Sequence, residues 1–144
     1  MVNVGVTGTR DGMNDAQRNI VHQFFKLLIE SGETEIALHH GDCVGVDFEC
    51  ANIAQCLGIK TICYPPIKSD LRAFHDSDVV MERKPYFERN RDIVEACEFM
   101  LVIPREDEWQ PVGGTWYTYD YSKKAAVSSV IIYRNGRCET KYFE

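Results

Sequence analysis

The chain reads as an α/β protein, a Rossmann-like three-layer sandwich with a mostly parallel sheet and an antiparallel edge hairpin at its carboxyl end. Three observations predict this. Short β-branched runs alternate with amphipathic stretches of helical spacing, glycine-centred turns stand where the runs end, and Asn135-Gly136 supplies a two-residue hairpin turn. At 144 residues and 44% hydrophobic content the chain can bury a core, and residues 1–144 are expected to form one domain.

Residues 1–6 form the first predicted strand. Asn14 then caps an amphipathic helix, with Gln17 three residues on completing a capping-box pattern and Ile20, Val21, Phe24, Phe25, Leu27 and Leu28 recurring at helical spacing. Gly32 ends it. A second strand, residues 35–40, runs into a glycine turn, and residues 48–57 carry Phe48, Ala51, Ile53, Ala54 and Leu57 for a second helix stopped by Gly58. Residues 60–64 make a third strand, halted by Pro65-Pro66. The mixed-charge stretch 67–85 lacks periodicity and is expected to be a long loop with one short helix. A helix over 86–97, a strand over 99–104, a loop to 111, a helix over 115–126, a strand over 129–133 and the return arm of the hairpin over 138–143 complete the order. Parallel strands joined by crossover helices gather the loops at the strands' carboxyl ends on one edge.

Composition excludes several classes. Sixteen basic against 22 acidic residues leave a formal charge of −6, and the acidic residues are scattered, so a partner nucleic acid is not expected: non-specific binding needs a cationic face that displaces counterions. No apolar stretch approaches membrane-spanning length and Met1-Val2-Asn3-Val4 lacks a basic start and long apolar segment, so a cytoplasmic location without membrane contact is expected. The six cysteines, Cys43, Cys50, Cys56, Cys63, Cys97 and Cys138, contain no Cys-x-x-Cys pair and read as free thiols rather than as staples or zinc ligands. His39, His40 and His75 show no metal-ligand spacing; neither a metal nor a resident cofactor is expected, and His40 reads as a turn residue that touches a ligand.

The glycine turns carry the functional signal. They are Gly5-Val6-Thr7-Gly8-Thr9-Arg10, His40-Gly41-Asp42-Cys43-Val44-Gly45-Val46-Asp47 and Val112-Gly113-Gly114-Thr115. Each stands at a strand end before a helix, so backbone N–H groups and helix N-termini converge on one sheet edge, where anionic groups are stabilised. Gly8, Gly41, Gly45, Gly113 and Gly114 allow close backbone approach, and Thr7, Thr9 and Thr115 offer hydroxyls to phosphate oxygens. Arg10 closes the first turn. Arg89 and Arg91 bracket Asn90 near the start of a helix, where a guanidinium can hold a phosphate bidentately. Trp116, Tyr117, Tyr119 and Tyr121 make the last helix aromatic, with the 116/119 and 117/121 pairs on separate faces, one for the core and one for a pocket or an interface between copies.

These turns, with Glu88-Arg89-Asn90-Arg91-Asp92-Ile93-Val94 before a strand ending at Pro104, resemble in the same order over residues 2–133 the motifs of the SLOG superfamily. That Rossmann-like group includes the LOG phosphoribohydrolases, the DprA-type DNA-processing proteins and small stand-alone nucleotide-binding proteins. The resemblance implies that the first turn and the Gly-Gly-Thr turn grip phosphate or ribose while the Asp42 and Asp47 loop shapes the pocket. It also implies a homo-oligomer, and, among stand-alone members in phage and mobile-element settings, sequestration of a cyclic ADP-ribose-type or cyclic nucleotide signal.

One departure bears on catalysis. The LOG enzymes are similar in carrying Pro-Gly-Gly-x-Gly-Thr-x-x-Glu, whose glutamate assists N-glycosidic cleavage, whereas here Thr118 stands in that glutamate's place. A threonine hydroxyl supplies neither a carboxylate base nor charge for an oxocarbenium-like transition state. The expectation is a protein that binds a nucleotide or nucleotide-derived ligand. The alternative is a phosphoribohydrolase-like or other N-glycosidic-bond enzyme that recruits Asp42, Asp47 or Asp120 instead.

Overall fold

A computed structural model describes residues 1–143. Seven strands form one sheet: β1 (Val2–Gly8), β2 (Ile36–His40), β3 (Lys60–Cys63), β4 (Val79–Val80), β5 (Phe99–Ile103), β6 (Ser128–Ile132) and β7 (Cys138–Lys141). Four helices connect them: α1 (Asp15–Glu30), α2 (Val46–Cys56), α3 (Tyr86–Ala96) and α4 (Gly114–Lys124). The spatial order is β4-β3-β2-β1-β5-β6-β7, parallel throughout except for the antiparallel β6–β7 hairpin. The predicted Rossmann-like architecture is therefore present.

Two layers of helix cover the sheet. On one face Val21 and Phe25 of α1 and Val46, Cys50, Ala51 and Ala54 of α2 pack on Val4, Val6, Leu38 and Leu101. On the other, Ile93 and Val94 of α3 and Trp116 of α4 pack on Met100, Val102 and Ile131. Fully burying each large apolar side chain contributes about 1.5–3 kcal/mol, which ties the helices to the sheet. The Asn14 capping box forms as its sequence pattern dictates: Asn14 Oδ1 accepts the Gln17 N–H at 2.9 Å, and Gln17 Oε1 accepts the Asn14 N–H at 3.1 Å.

The 67–85 stretch holds no helix among its described residues, contrary to expectation. Val79 and Val80 extend the sheet instead, parallel to Ile62 and Cys63. Asp78 explains the docking, because its carboxylate accepts both the N–H and the hydroxyl of Thr61 in β3. A two-residue strand carries too little periodicity to be read from sequence. Among the described residues no helix is long and apolar enough to cross a membrane.

Candidate functional site

The strand order reverses at β1: the chain proceeds from β1 through β2 and β3 in one direction, and β5 and β6 lie on the other side. Loops leaving the carboxyl ends of β1 and β5 consequently diverge and leave a crevice between them, the position where open α/β sheets bind ligands. A cleft of about 580 Å³ occupies it. Gly8, Thr9, Arg10 and Asp11 line it from the turn after β1, Arg105, Glu106 and Gln110 from the loop after β5, and Val112 to Trp116 from the start of α4. Cys43 and Asp47 from the second turn and Tyr86, Arg89 and Asn90 from α3 form the remaining wall.

The start of α4 presents backbone N–H groups to the cleft. Its N-cap residue, Gly113, has φ 104° and supplies no side-chain cap. The first intrahelical bond there runs from the Tyr117 N–H to the Gly113 carbonyl at 3.0 Å, so the N–H groups of Gly114, Thr115 and Trp116 have no partner within the helix. Gly114 also sits against Tyr86: a Cβ at this position would lie 2.5 Å from the Tyr86 hydroxyl. Absence of a side chain brings the start of α4 and the first turn of α3 together.

Arg89 is 2% exposed despite its charge. Its Nη1 donates to the carbonyls of Gly41 and Tyr64, its Nε to Asn90 Oδ1 at 2.6 Å, and its Nη2 reaches Cys43 Sγ at 3.4 Å. The guanidinium also stacks over the Tyr86 ring, 4.7 Å from the centroid. It therefore clamps the second turn to α3 and lends positive charge to the cleft wall. Arg10 lies over the same tyrosine at 5.9 Å, and Arg105, 65% exposed, sits at the rim beside Asp11 and Glu106.

Asp47 is the buried carboxylate of the wall. Its Oδ2 accepts the Gly41 and Cys43 N–H groups at 3.1 and 3.2 Å. Burial pushes its pKa up to about 6, while the Arg89 charge and the two N–H donors pull the other way. Cys43 is no thiolate nucleophile, since burial and the Asp47 charge raise it to about 11. Glu106 accepts the Trp116 indole N–H at 2.9 Å, which anchors the loop after β5 to α4.

The cleft brings together Gly8, Thr9, Arg10, Asp47, Arg89, Asn90, Gly113, Gly114 and Thr115 of the sequence candidates. Others lie elsewhere. Thr7 is within β1 opposite Val102. Gly41 gives room to the Arg89 guanidinium, and Gly45, at φ 90°, to the Arg10 carbonyl, so both glycines seat one turn on another. Arg91 donates to the Tyr117 hydroxyl at 3.0 Å on the outer side of α3. Thr118 is buried with its hydroxyl turned back to the Gly114 carbonyl at 2.9 Å, and exposed Asp120 accepts from the Trp109 indole at 3.1 Å.

Asp42 serves the long loop rather than the cleft. It takes a left-handed backbone, φ 58°, and its carboxylate pairs with Arg72 Nε at 2.6 Å and accepts the His75 N–H at 2.9 Å. Its carbonyl accepts the Ala73 N–H at 2.7 Å, and the Val44 N–H reaches the Leu71 carbonyl at 2.9 Å. His40 backs this latch: Nδ1 accepts the Asp42 N–H at 3.1 Å and Nε2 meets Ser77 Oγ at 2.8 Å, with burial and the neighbouring His75 lowering its pKa to about 3. His40, Asp42 and Cys63 bring metal-ligand atom types within 4.8 Å of one another, but the His40 nitrogens and the Asp42 oxygens are already engaged by protein groups.

Sequence reasoning missed Tyr86, Arg105 and Glu106. The signal available was positional, since Arg105 and Glu106 directly follow a strand adjoining the switch point.

No family model and no curated protein matches the sequence. Solved structures do match the fold. The molybdenum cofactor binding protein from the phototrophic bacterium Rippkaea orientalis superposes with a TM-score of 0.68 at 17% identity, over 92% of this chain and 76% of that one. The Moco carrier protein from Chlamydomonas reinhardtii gives 0.64 at 20% identity, over 90% and 75%. DNA processing protein A (DprA) from Streptococcus pneumoniae gives 0.65 at 19%, over 91% of this chain and half of its own. This chain shares the fold of these structures. At these identities the likeness is one of architecture. The cleft lies between the first glycine turn, at the end of β1, and the third, which opens α4.

Proposed function

We propose that this SLOG-type chain binds a nucleotide or nucleotide-derived ligand by its phosphate and releases it chemically unchanged. One observation carries the reading: the uncapped N-terminus of α4 opens on a cleft that Arg10, Arg89 and Arg105 also line. Partial positive charge at a helix N-terminus and guanidinium donors favour the same ligand, a phosphate group. Two structures of this fold are named for holding the molybdenum cofactor, which supports a small-molecule role. Sequestration of a cyclic ADP-ribose-type or cyclic nucleotide signal is the finer form of the proposal.

Binding without turnover is favoured by what stands near the phosphate grip. Thr118 faces its own helix, Asp42 is committed to Arg72, and Asp120 lies outside the cleft. A second reading, N-glycosidic cleavage, rests on Asp47 alone: a carboxyl in the cleft wall with a pKa near 6 is poised for proton transfer near neutral pH. Native mass spectrometry of the purified protein, followed by incubation with nucleoside monophosphates, separates the two. Binding predicts recovery of intact nucleotide. Formation of free base and ribose 5-phosphate that Asp47→Asn abolishes would establish the second reading, and no bound or binding phosphorylated compound would refute both.

A further inference from the structure

We infer that the ligand carries a flat ring system in addition to its phosphate, and that the ring occupies a second compartment next to the anionic cleft; this rests on the phosphate-binding reading above. The compartment, about 420 Å³, lies between the loop after β3 and the start of α3. Pro66, Leu71, Pro85 and Tyr86 give it apolar and largely flat walls. Arg10, Cys43 and Tyr86 line both spaces, so the two adjoin along these three residues.

The chemistry of the two spaces is divided. The cleft at α4 offers guanidinium groups and backbone N–H groups; the second compartment offers hydrocarbon, an aromatic ring and, at its edge, Lys68 and Asp70. That last pair supplies a donor and an acceptor, matching the ring N–H, amino and carbonyl groups of a heterocycle. The walls are built before any ligand arrives: Asp42 and Arg72 pin the loop, the Val44 N–H holds the Leu71 carbonyl at 2.9 Å, and the Ile67 N–H holds the Lys84 carbonyl at 3.2 Å. Preformed walls lower the ordering cost of binding. Leu71 at 41% exposure and Ile67 at 55% remain accessible to a ligand rather than being consumed by the core.

Isothermal titration calorimetry at fixed salt tests this with inorganic pyrophosphate, the diphosphates ADP, GDP, CDP and UDP, and hexyl diphosphate. The inference expects pyrophosphate to bind and at least one nucleoside diphosphate to bind at least tenfold more tightly. Leu71→Ser and Ile67→Ser, neutral changes at exposed positions, should each reduce that gain at least threefold and leave pyrophosphate within twofold of the parent. A gain that survives both substitutions, a gain equalled by hexyl diphosphate, or no nucleoside diphosphate exceeding pyrophosphate overturns the ring compartment and leaves the phosphate cleft standing. Absence of pyrophosphate binding overturns the phosphate cleft, and the inference with it.

Discussion

Arg89 and Asp47 show how two buried charges are made tolerable. The guanidinium bonds two carbonyls and the Asn90 amide oxygen and stacks on Tyr86, while the carboxylate takes two backbone N–H groups from the same turn. Removing one member of such a set leaves the others unsatisfied in low dielectric. Arg89→Ala should therefore cost about 3 kcal/mol or more in urea unfolding, whereas Arg91→Ala, which loses a single bond to Tyr117 on the surface, should leave the midpoint unchanged. Equal effects of the two substitutions would contradict this division. The Asp47 pKa adds a pH signature. A carboxyl raised from 3.8 to about 6 binds more protons folded than unfolded between those values, so its stabilising contribution is full below about pH 4 and is lost as pH rises through 6. His39 and His40, lowered to about 4 and about 3, act in the opposite sense, so the stability of Asp47→Asn must be subtracted from that of the parent at each pH. The difference should fall between pH 4 and 6; a flat difference would place the Asp47 carboxyl at its ordinary pKa.

At the scale of elements, the proposed phosphate grip depends on the junction of α3 with α4. Gly114→Val drives a branched side chain into the Tyr86 hydroxyl and displaces the start of α4 from α3. The expected result is a folded protein whose thermal midpoint no longer rises with pyrophosphate; a retained rise would remove this turn from the site. The Gly113-Gly114-Thr115 turn was legible in the sequence because two glycines before a helical pattern imply both a special backbone and close approach. The roles of Gly41 and Gly45 were not, because a glycine that accommodates Arg89 or a neighbouring carbonyl has the same local signature as one that accommodates a ligand. Asp42 was misplaced for a similar reason. Its partner Arg72 lies 30 residues away, in a loop with no periodicity to announce its path.

At the scale of the molecule, crossover connections and the reversal of strand order at β1 bring a few cationic groups together on a chain of net charge −6. Alternation of strand and helix makes that architecture, and hence the edge bearing the site, readable from the order of residues alone. Strand β4 and the second compartment depend on contacts between distant segments, Asp78 with Thr61 and Val44 with Leu71, which no local pattern encodes. Everything proposed for the site depends on an anionic group seated on the N-terminus of α4 at the switch point. Titration of isotopically labelled protein with pyrophosphate, followed through the backbone amide resonances, is the decisive test. Saturable shifts are predicted, largest at Gly114, Thr115 and Trp116 and accompanied by Thr9 and Arg10; saturable shifts confined to other parts of the chain, or no saturable shifts at all, would contradict the seat of that anion.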